Sequence, residues 1–367
     1  MTSRLLIPLL TTCAIPAFAD VPKVVTDIPP VHSLVSLVME GVGTPELIID
    51  KAGDPHHMSL RPSQAAKISS ADMIFWIGAG LTPWLEEGIE SLAPEAEALA
   101  LMEADGTHLI AAKDDHSHHD HGDHGDDHDD HDEHKDEDHA EHDHDEHKGE
   151  DHAEHDHDEH KDEDHAEHDH DEHKDEDHAD HDDHGEEKHA QMIDGEPVDP
   201  HGWLSPENAG VWLTRIAEKL AFADPENAAT YISNAKDAQK HMGEYSDGVR
   251  QALASKTSFP IITGHDVLGY FTDYFEMEPL AALRNYEAEQ LGISEFSEAV
   301  DAIKADGITC FLYEPIESQE WVAFMRDEAG LKPIEVDPLG FNIAFGPDLY
   351  GQLMVGLASA LNSCEAS

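Results

Sequence analysis

Three observations predict an α/β protein built as two (β/α) halves joined by a long helix. Short β-branched runs alternate with longer helical patterns in both halves of the chain, as expected for βα units with parallel sheets. Between the halves, Pro225–Lys256 has no proline after its first residue and is dominated by Ala, Glu, Lys and Gln, which suits one rigid helix of about thirty residues, roughly 45 Å long at 1.5 Å per residue. Residues 114–190, by contrast, carry no apolar face and stand apart as an insert.

In chain order, the first nineteen residues read as an export signal. Arg4 supplies a positive charge, Leu5–Leu10 begin an apolar stretch, and Ala17-Phe18-Ala19 forms a cleavage site before Asp20. The apolar stretch is too short to span a bilayer, and the bulk of Thr12 argues against a lipid anchor on Cys13. The expected organisation is therefore a signal at 1–19, an N-terminal lobe at 20–224, a linking helix at 225–256 and a C-terminal lobe at 257–367. In the first lobe Lys23–Thr26, Glu46–Asp50 and Asp72–Ile77 read as strands, and Val31–Gly41, Pro62–Ser70 and Pro83–Leu92 as helices. In the second, Phe259–Thr263, Pro279–Leu283, Ile308–Tyr313 and Pro333–Val336 read as strands. Asp266–Phe275, Ser294–Ala305, Ser318–Glu328 and Pro347–Leu361 read as helices, and Pro225 suits the first turn of the linker.

The insert holds 24 of the 31 histidines, 38 of the 81 acidic residues and only 5 of the 21 lysines and arginines, hence 33 of the 60 net negative charges. A thirteen-residue unit, HKDEDHAEHDHDE, recurs from His134, His147 (with Gly149 for Asp) and His160, with a degraded copy from His173. With nothing to bury, such a segment cannot offset its ordering entropy and is expected to be disordered. Its imidazoles, among them His116, His118, His119, His121, His134, His147, His160 and His173, are expected to bind zinc, copper or nickel weakly. Only neutral imidazole binds, so this capture should fade below about pH 6.5. The acidic balance excludes nucleic acid as a partner and favours cations. Cys310 and Cys364 follow the export signal into an oxidising compartment, where a pair tends to close; two unrelated buried thiols are the alternative.

Four segments place metal-ligating side chains beyond strand ends or before helix starts, where open α/β sheets bind ligands. GDPHHMSLRPS follows ELIID and carries His56 and His57; VDPHGWLSPENA carries His201 before a helix starting at Pro206; GHDVLGYF follows FPIIT and carries His265; DPLG follows PIEV and carries Asp337. A single loop histidine is usually a surface or hydrogen-bonded residue, but three at equivalent positions beside a histidine-rich insert point to a metal. His32, His108 and His241 keep the ordinary reading.

In this order, PHHMSLRPS, DPHGWLSPENA, GHDVLGYF, LYEP and VDPLG resemble the motifs of the metal-binding substrate-binding proteins of zinc and manganese ABC importers. The resemblance covers essentially all of the chain after residue 19, and the insert resembles that of the zinc-uptake branch, the ZnuA type. It implies a metal site in the cleft between two lobes joined by a backbone helix. Residue by residue, it places the ligands on His56, His201, His265 and Asp337, with water or an insert histidine as alternatives to Asp337. The sequence departs from some zinc members at Pro55, where they carry a glutamate. A third imidazole at position 265 suits Zn²⁺, whereas manganese-type members pair two histidines with two carboxylates. The resemblance also implies a Cys310–Cys364 disulfide, a monomeric periplasmic receptor for zinc, and as partners a cognate ABC permease and its ATPase in the inner membrane.

Alternatives are a manganese or iron receptor of the same family, or a periplasmic zinc buffer or chaperone. An enzyme would need a general base beside the metal, for which Glu287, Glu289 or Glu314 could serve. No H-E-x-x-H motif accompanies them, and the expectation is a non-enzyme.

Overall fold

A computed structural model describes residues 21–112, 191–193, 195–254, 260–289 and 293–364, the side chains of 293–297 excepted. The export signal, the insert with its eight named histidines, and Lys256 at the expected end of the linker lie outside the described residues.

The first lobe runs β1 (Val24–Thr26), α1 (Pro29–Val38), β2 (Glu46–Leu47), α2 (Pro62–Ser69), β3 (Met73–Trp76), α3 (Pro83–Leu92) and β4 (Glu97–Ala100). Its four strands form one parallel sheet in the order β2-β1-β3-β4. β4 escapes the sequence pattern because Glu-Ala-Leu-Ala has helical rather than strand propensity; its pairing with β3 decides it. A short hairpin, β5 (Met192–Ile193) with β6 (Glu196–Pro197), follows residues 113–190. The bridge between Ala111 and Val198 and the bond from Ala112 N to Pro197 O (2.8 Å) fasten the chain on either side of that stretch.

α4 (Pro206–Ala223) is capped by Ser205, whose side chain accepts from Asn208 N. α5 (Ala228–Leu253), the 26-residue linking helix, starts three residues later than the sequence predicts. Asp224 accounts for the shift. Its carboxylate accepts from Asn227 Nδ2 (2.7 Å) and the Tyr231 hydroxyl (2.9 Å), so Pro225–Asn227 is held as a turn rather than a first helical turn. Tyr231, Ala235, Ala238, Met242, Ser246, Val249 and Leu253 form the buried stripe of α5, spaced three and four apart as one helix face requires.

The second lobe runs β7 (Ile261–Thr263), α6 (Gly269–Tyr274), β8 (Ala281–Ala282), α7 (Ile293–Ala305), β9 (Cys310–Tyr313), α8 (Gln319–Asp327), β10 (Lys332–Glu335) and α9 (Leu349–Ser363). Its parallel sheet has the order β10-β9-β7-β8. Alternate residues of β7 and β9 serve opposite faces, as the two-residue strand period demands. Ile261, Cys310 and Leu312 join the main core with α9, whereas Ile262 and Phe311 join a smaller cluster with Val322, Met325 and Leu331. Cys310 and Cys364 form a disulfide that ties β9 to the end of α9. Among the described residues, no helix is long and apolar enough to cross a membrane.

Candidate metal centre

His56 lies in the loop between β2 and α2, and two contacts fix that loop. Asp54 Oδ1 accepts from His56 N (3.0 Å), and the Trp84 indole on α3 donates to Pro55 O (2.8 Å). His201 sits on the turn that leads into α4. Asp199 Oδ1 receives both its backbone N–H (2.9 Å) and its ring Nδ1 (2.7 Å). His265 stands two residues beyond β7. Because β7 and β9 are neighbours with Thr263 opposite Leu312, the carboxyl end of β9 brings Glu314 alongside, with Oε1 2.5 Å from His265 Nδ1.

The three rings converge. Their centroids are 5.5 Å apart for His56–His201, 5.3 Å for His201–His265 and 6.5 Å for His56–His265, and one nitrogen from each lies within 4.8 Å of the others. All three residues are buried, at 9%, 1% and 5% exposure. His56 Nε2 is a buried nitrogen with no hydrogen-bond partner, the mark of a ligand atom. Carboxylates at Nδ1 of His201 and His265 leave Nε2 as the free donor on both rings. Imidazole nitrogens sharing a tetrahedral zinc at 2.0–2.1 Å stand about 3.4 Å apart, a small contraction from this arrangement.

The electrostatics fit a dication. Burial, then the neighbouring His201, His265 and His57, holds His56 well below the usual histidine range, so it stays neutral and ready to bind. Burial also pulls His265 down, but the Glu314 carboxylate outweighs it and the net shift is upward. Glu314 moves in the complementary direction: His265, with His201 and Arg284, overcomes its burial and keeps it ionised. A metal ion must therefore displace a proton from His265. Zinc affinity should rise with pH through the neutral range and fall as acid protonates that ring, starting above pH 6.5, by about tenfold per pH unit on the acid side. Competition titrations from pH 5 to 8 check this; a flat profile contradicts it.

Asp337, expected as the fourth ligand, is not among the three residues that the described structure brings together. Its two carboxylate oxygens accept from Gly340 N (2.8 Å) and Asn342 N (2.7 Å), so its lone pairs shape the loop after β10. Asp199 is the residue that sequence reasoning left out of the site, and Glu314 entered it only as a possible general base and not as the partner of His265. A carboxylate two residues before a candidate histidine, and one ending a strand next to another candidate's strand, were the available signals. Such carboxylates orient the ring and raise its basicity, so Asp199→Asn should weaken zinc binding about 10–100-fold. Unchanged affinity by calorimetry would remove that role from Asp199. His32 Nε2 lies 3.2 Å from Pro45 O, His108 pairs with Asp273, and His241 is exposed on α5; none joins the cluster.

Residues 24–364 match the family model ZnuA, described as zinc-uptake complex component A, periplasmic. The chain is 36% identical to the high-affinity zinc uptake system protein ZnuA of Paracoccus denitrificans (strain Pd 1222) over 364 residues, 99% of this chain and 98% of the relative. It is 33% identical to the protein of the same name from Brucella abortus (strain 2308), with 93% and 91% covered. A crystal structure of ZnuA superposes with a TM-score of 0.63 at 16% identity, covering 95% of this chain and all (100%) of that one. The substrate-binding protein FpvC of P. aeruginosa in complex with Ni²⁺ gives 0.63 at 16% identity, covering 94% and 98%.

Two parallel α/β lobes, linked through a long helix and contributing imidazoles to one buried cluster, define a metal-binding substrate-binding protein. The chain belongs to the ZnuA family of periplasmic zinc-uptake components.

Proposed function

We propose that this protein is a high-affinity zinc receptor of the periplasm that holds the ion on His56, His201 and His265 and delivers it to an ABC importer. The observation that carries this reading is the convergence of three buried imidazoles, two from the first lobe and one from the second. Three nitrogen donors suit zinc, and two buried carboxylates on their Nδ1 atoms offset the charge of a dication where water cannot. The fourth position falls to Asp337, to water or to a histidine of the insert. The export signal at 1–19 places the protein in the periplasm, and the lobes at 20–224 and 257–367 present the faces that dock on the permease and its ATPase. The receptor acts as a monomer and catalyses nothing: it binds and transfers.

In this scheme the insert gathers zinc through weak, multivalent contacts. Deleting residues 114–190 should lower the zinc bound per chain from several ions to one tightly held ion. Equilibrium dialysis checks this; an unchanged stoichiometry removes the insert from metal binding. Delivery is tested with vesicles carrying the cognate permease and ATPase. Zinc uptake should depend on this protein and stop when His56, His201 and His265 are all replaced. Uptake that persists with the triple variant refutes the assignment.

A further inference from the structure

The Arg284 guanidinium touches three separate loops around the metal cluster. Nε donates to Gly264 O (2.9 Å), the carbonyl just before His265. Nη2 pairs with Glu317, whose own backbone N–H bonds Glu314 O (3.0 Å), so it braces the turn that carries the His265 partner. Nη1 donates to Ala288 O (3.4 Å), and Arg284 O in turn accepts from Asp266 N (3.0 Å), on the far side of His265. The guanidinium and Glu317 side chains are 11% and 10% exposed. A Cβ at Gly264 would lie 2.9 Å from Glu317 Oε1 and 3.5 Å from Arg284 Nη2, so a side chain there would push on this pair.

Ala288 follows Glu287, whose carbonyl meets the other lobe. His57 Nε2 lies 3.2 Å from Glu287 O, and because a carbonyl only accepts, His57 carries its proton on Nε2 in this contact. Ala288 holds φ of 58°, a conformation a non-glycine residue keeps only when its surroundings impose it. Two contacts impose it here: Arg284 Nη1 on Ala288 O, and the bond from Ala288 N to Asn285 O (3.0 Å).

We propose that Arg284 is a positioning residue that couples the lobe-to-lobe contact of His57 on Glu287 to the seating of His265, and so sets how long the ion stays bound. This rests on the receptor reading above. The planar fork of arginine can serve a carboxylate and two carbonyls at once; the single ammonium of lysine cannot. In this scheme the lobe-to-lobe contact closes after the ion has entered, so the device acts on release rather than on capture.

The test uses the full chain loaded with one equivalent of zinc and chased with excess chelator. His57→Ala, at an exposed position, should speed release about 3–10-fold, the worth of one hydrogen bond. Arg284→Lys should speed it about 10–100-fold, as loss of a ligand's supporting contact does. Association rates should not change, and the double variant should release no faster than Arg284→Lys alone. The cobalt-loaded Arg284→Lys protein should also show altered visible bands, which a merely structural loss of stability would not produce. Rate increases that multiply in the double variant, or variants that release zinc as slowly as the parent, overturn the coupling. If His57→Ala is the only variant that folds, its release rate alone decides between these results. A parent chain that holds no slowly released zinc overturns the receptor reading and this inference with it.

Discussion

Replacing His265 with alanine in a chain lacking residues 114–190 is expected to weaken zinc binding by more than about a hundredfold. The reason lies in what the substitution leaves behind. His56 and His201 would remain as two nitrogen donors from one lobe, and the second lobe would lose its hold on the ion. Removing only a residue that supports a ligand costs about 10–100-fold, so loss of the ligand itself should exceed that range. Glu314 would lose its partner and remain a buried carboxylate at 5% exposure, adding a cost to the folded state. The insert must be absent, because its many weak sites would mask the loss in a simple binding isotherm. Calorimetry of the variant against the parent in the insert-free background decides the matter. An affinity within a few-fold of the parent would remove His265 from the ligand set.

The second large effect concerns the Cys310–Cys364 bridge, which closes a loop of 54 residues. By chain entropy such a closure contributes about 4 kcal/mol to folding. Both sulfurs are buried, at 1% and 2% exposure, in the main core, so a Cys310→Ala, Cys364→Ala variant also loses packing. The melting temperature should fall by on the order of 10 °C, with a matching loss on reduction of the parent protein. The effect should appear as stability and not as affinity, because the bridge fastens β9 to α9 at the end of the strand opposite to Glu314. An unchanged melting temperature under reducing conditions would show that the bridge does not stabilise the fold.

Much of the architecture was legible because it follows from local rules. The parallel sheets were implied by β-branched runs separated by helical patterns. α3 was bounded correctly at Pro83 and Leu92, since Pro83 opens its first turn and Leu92 ends its periodic face. Shorter strands were overestimated: Glu46–Asp50 pairs with β1 only at Glu46 and Leu47. Beyond them, Ile48 and Ile49 are buried and their N–H groups bond Thr26 O and Asp27 O, so hydrophobicity continued where the ladder stopped. The start of α5 was misplaced because nothing local announces that Asp224 will gather Asn227 and Tyr231 around itself.

The candidate ligands divide in the same way. His56, His201 and His265 were legible as imidazoles at strand and helix ends within motifs that resemble a known family. Asp337 was chosen on the same grounds, and in the structure its oxygens also accept from the N–H groups of its own loop.

By itself, the sequence determined the α/β class, the composition of the insert and the residue types able to hold zinc. All of these depend on side-chain chemistry and on short-range periodicity. Only the tertiary structure decided which carboxylates meet His201 and His265, which N–H groups Asp337 accepts from, and that Arg284 bonds both Gly264 O beside His265 and Ala288 O beside Glu287. The His265–Glu314 and Arg284–Gly264 pairings link residues far apart in the chain, and strand order and sheet register, which no local pattern encodes, are what bring them within hydrogen-bond distance.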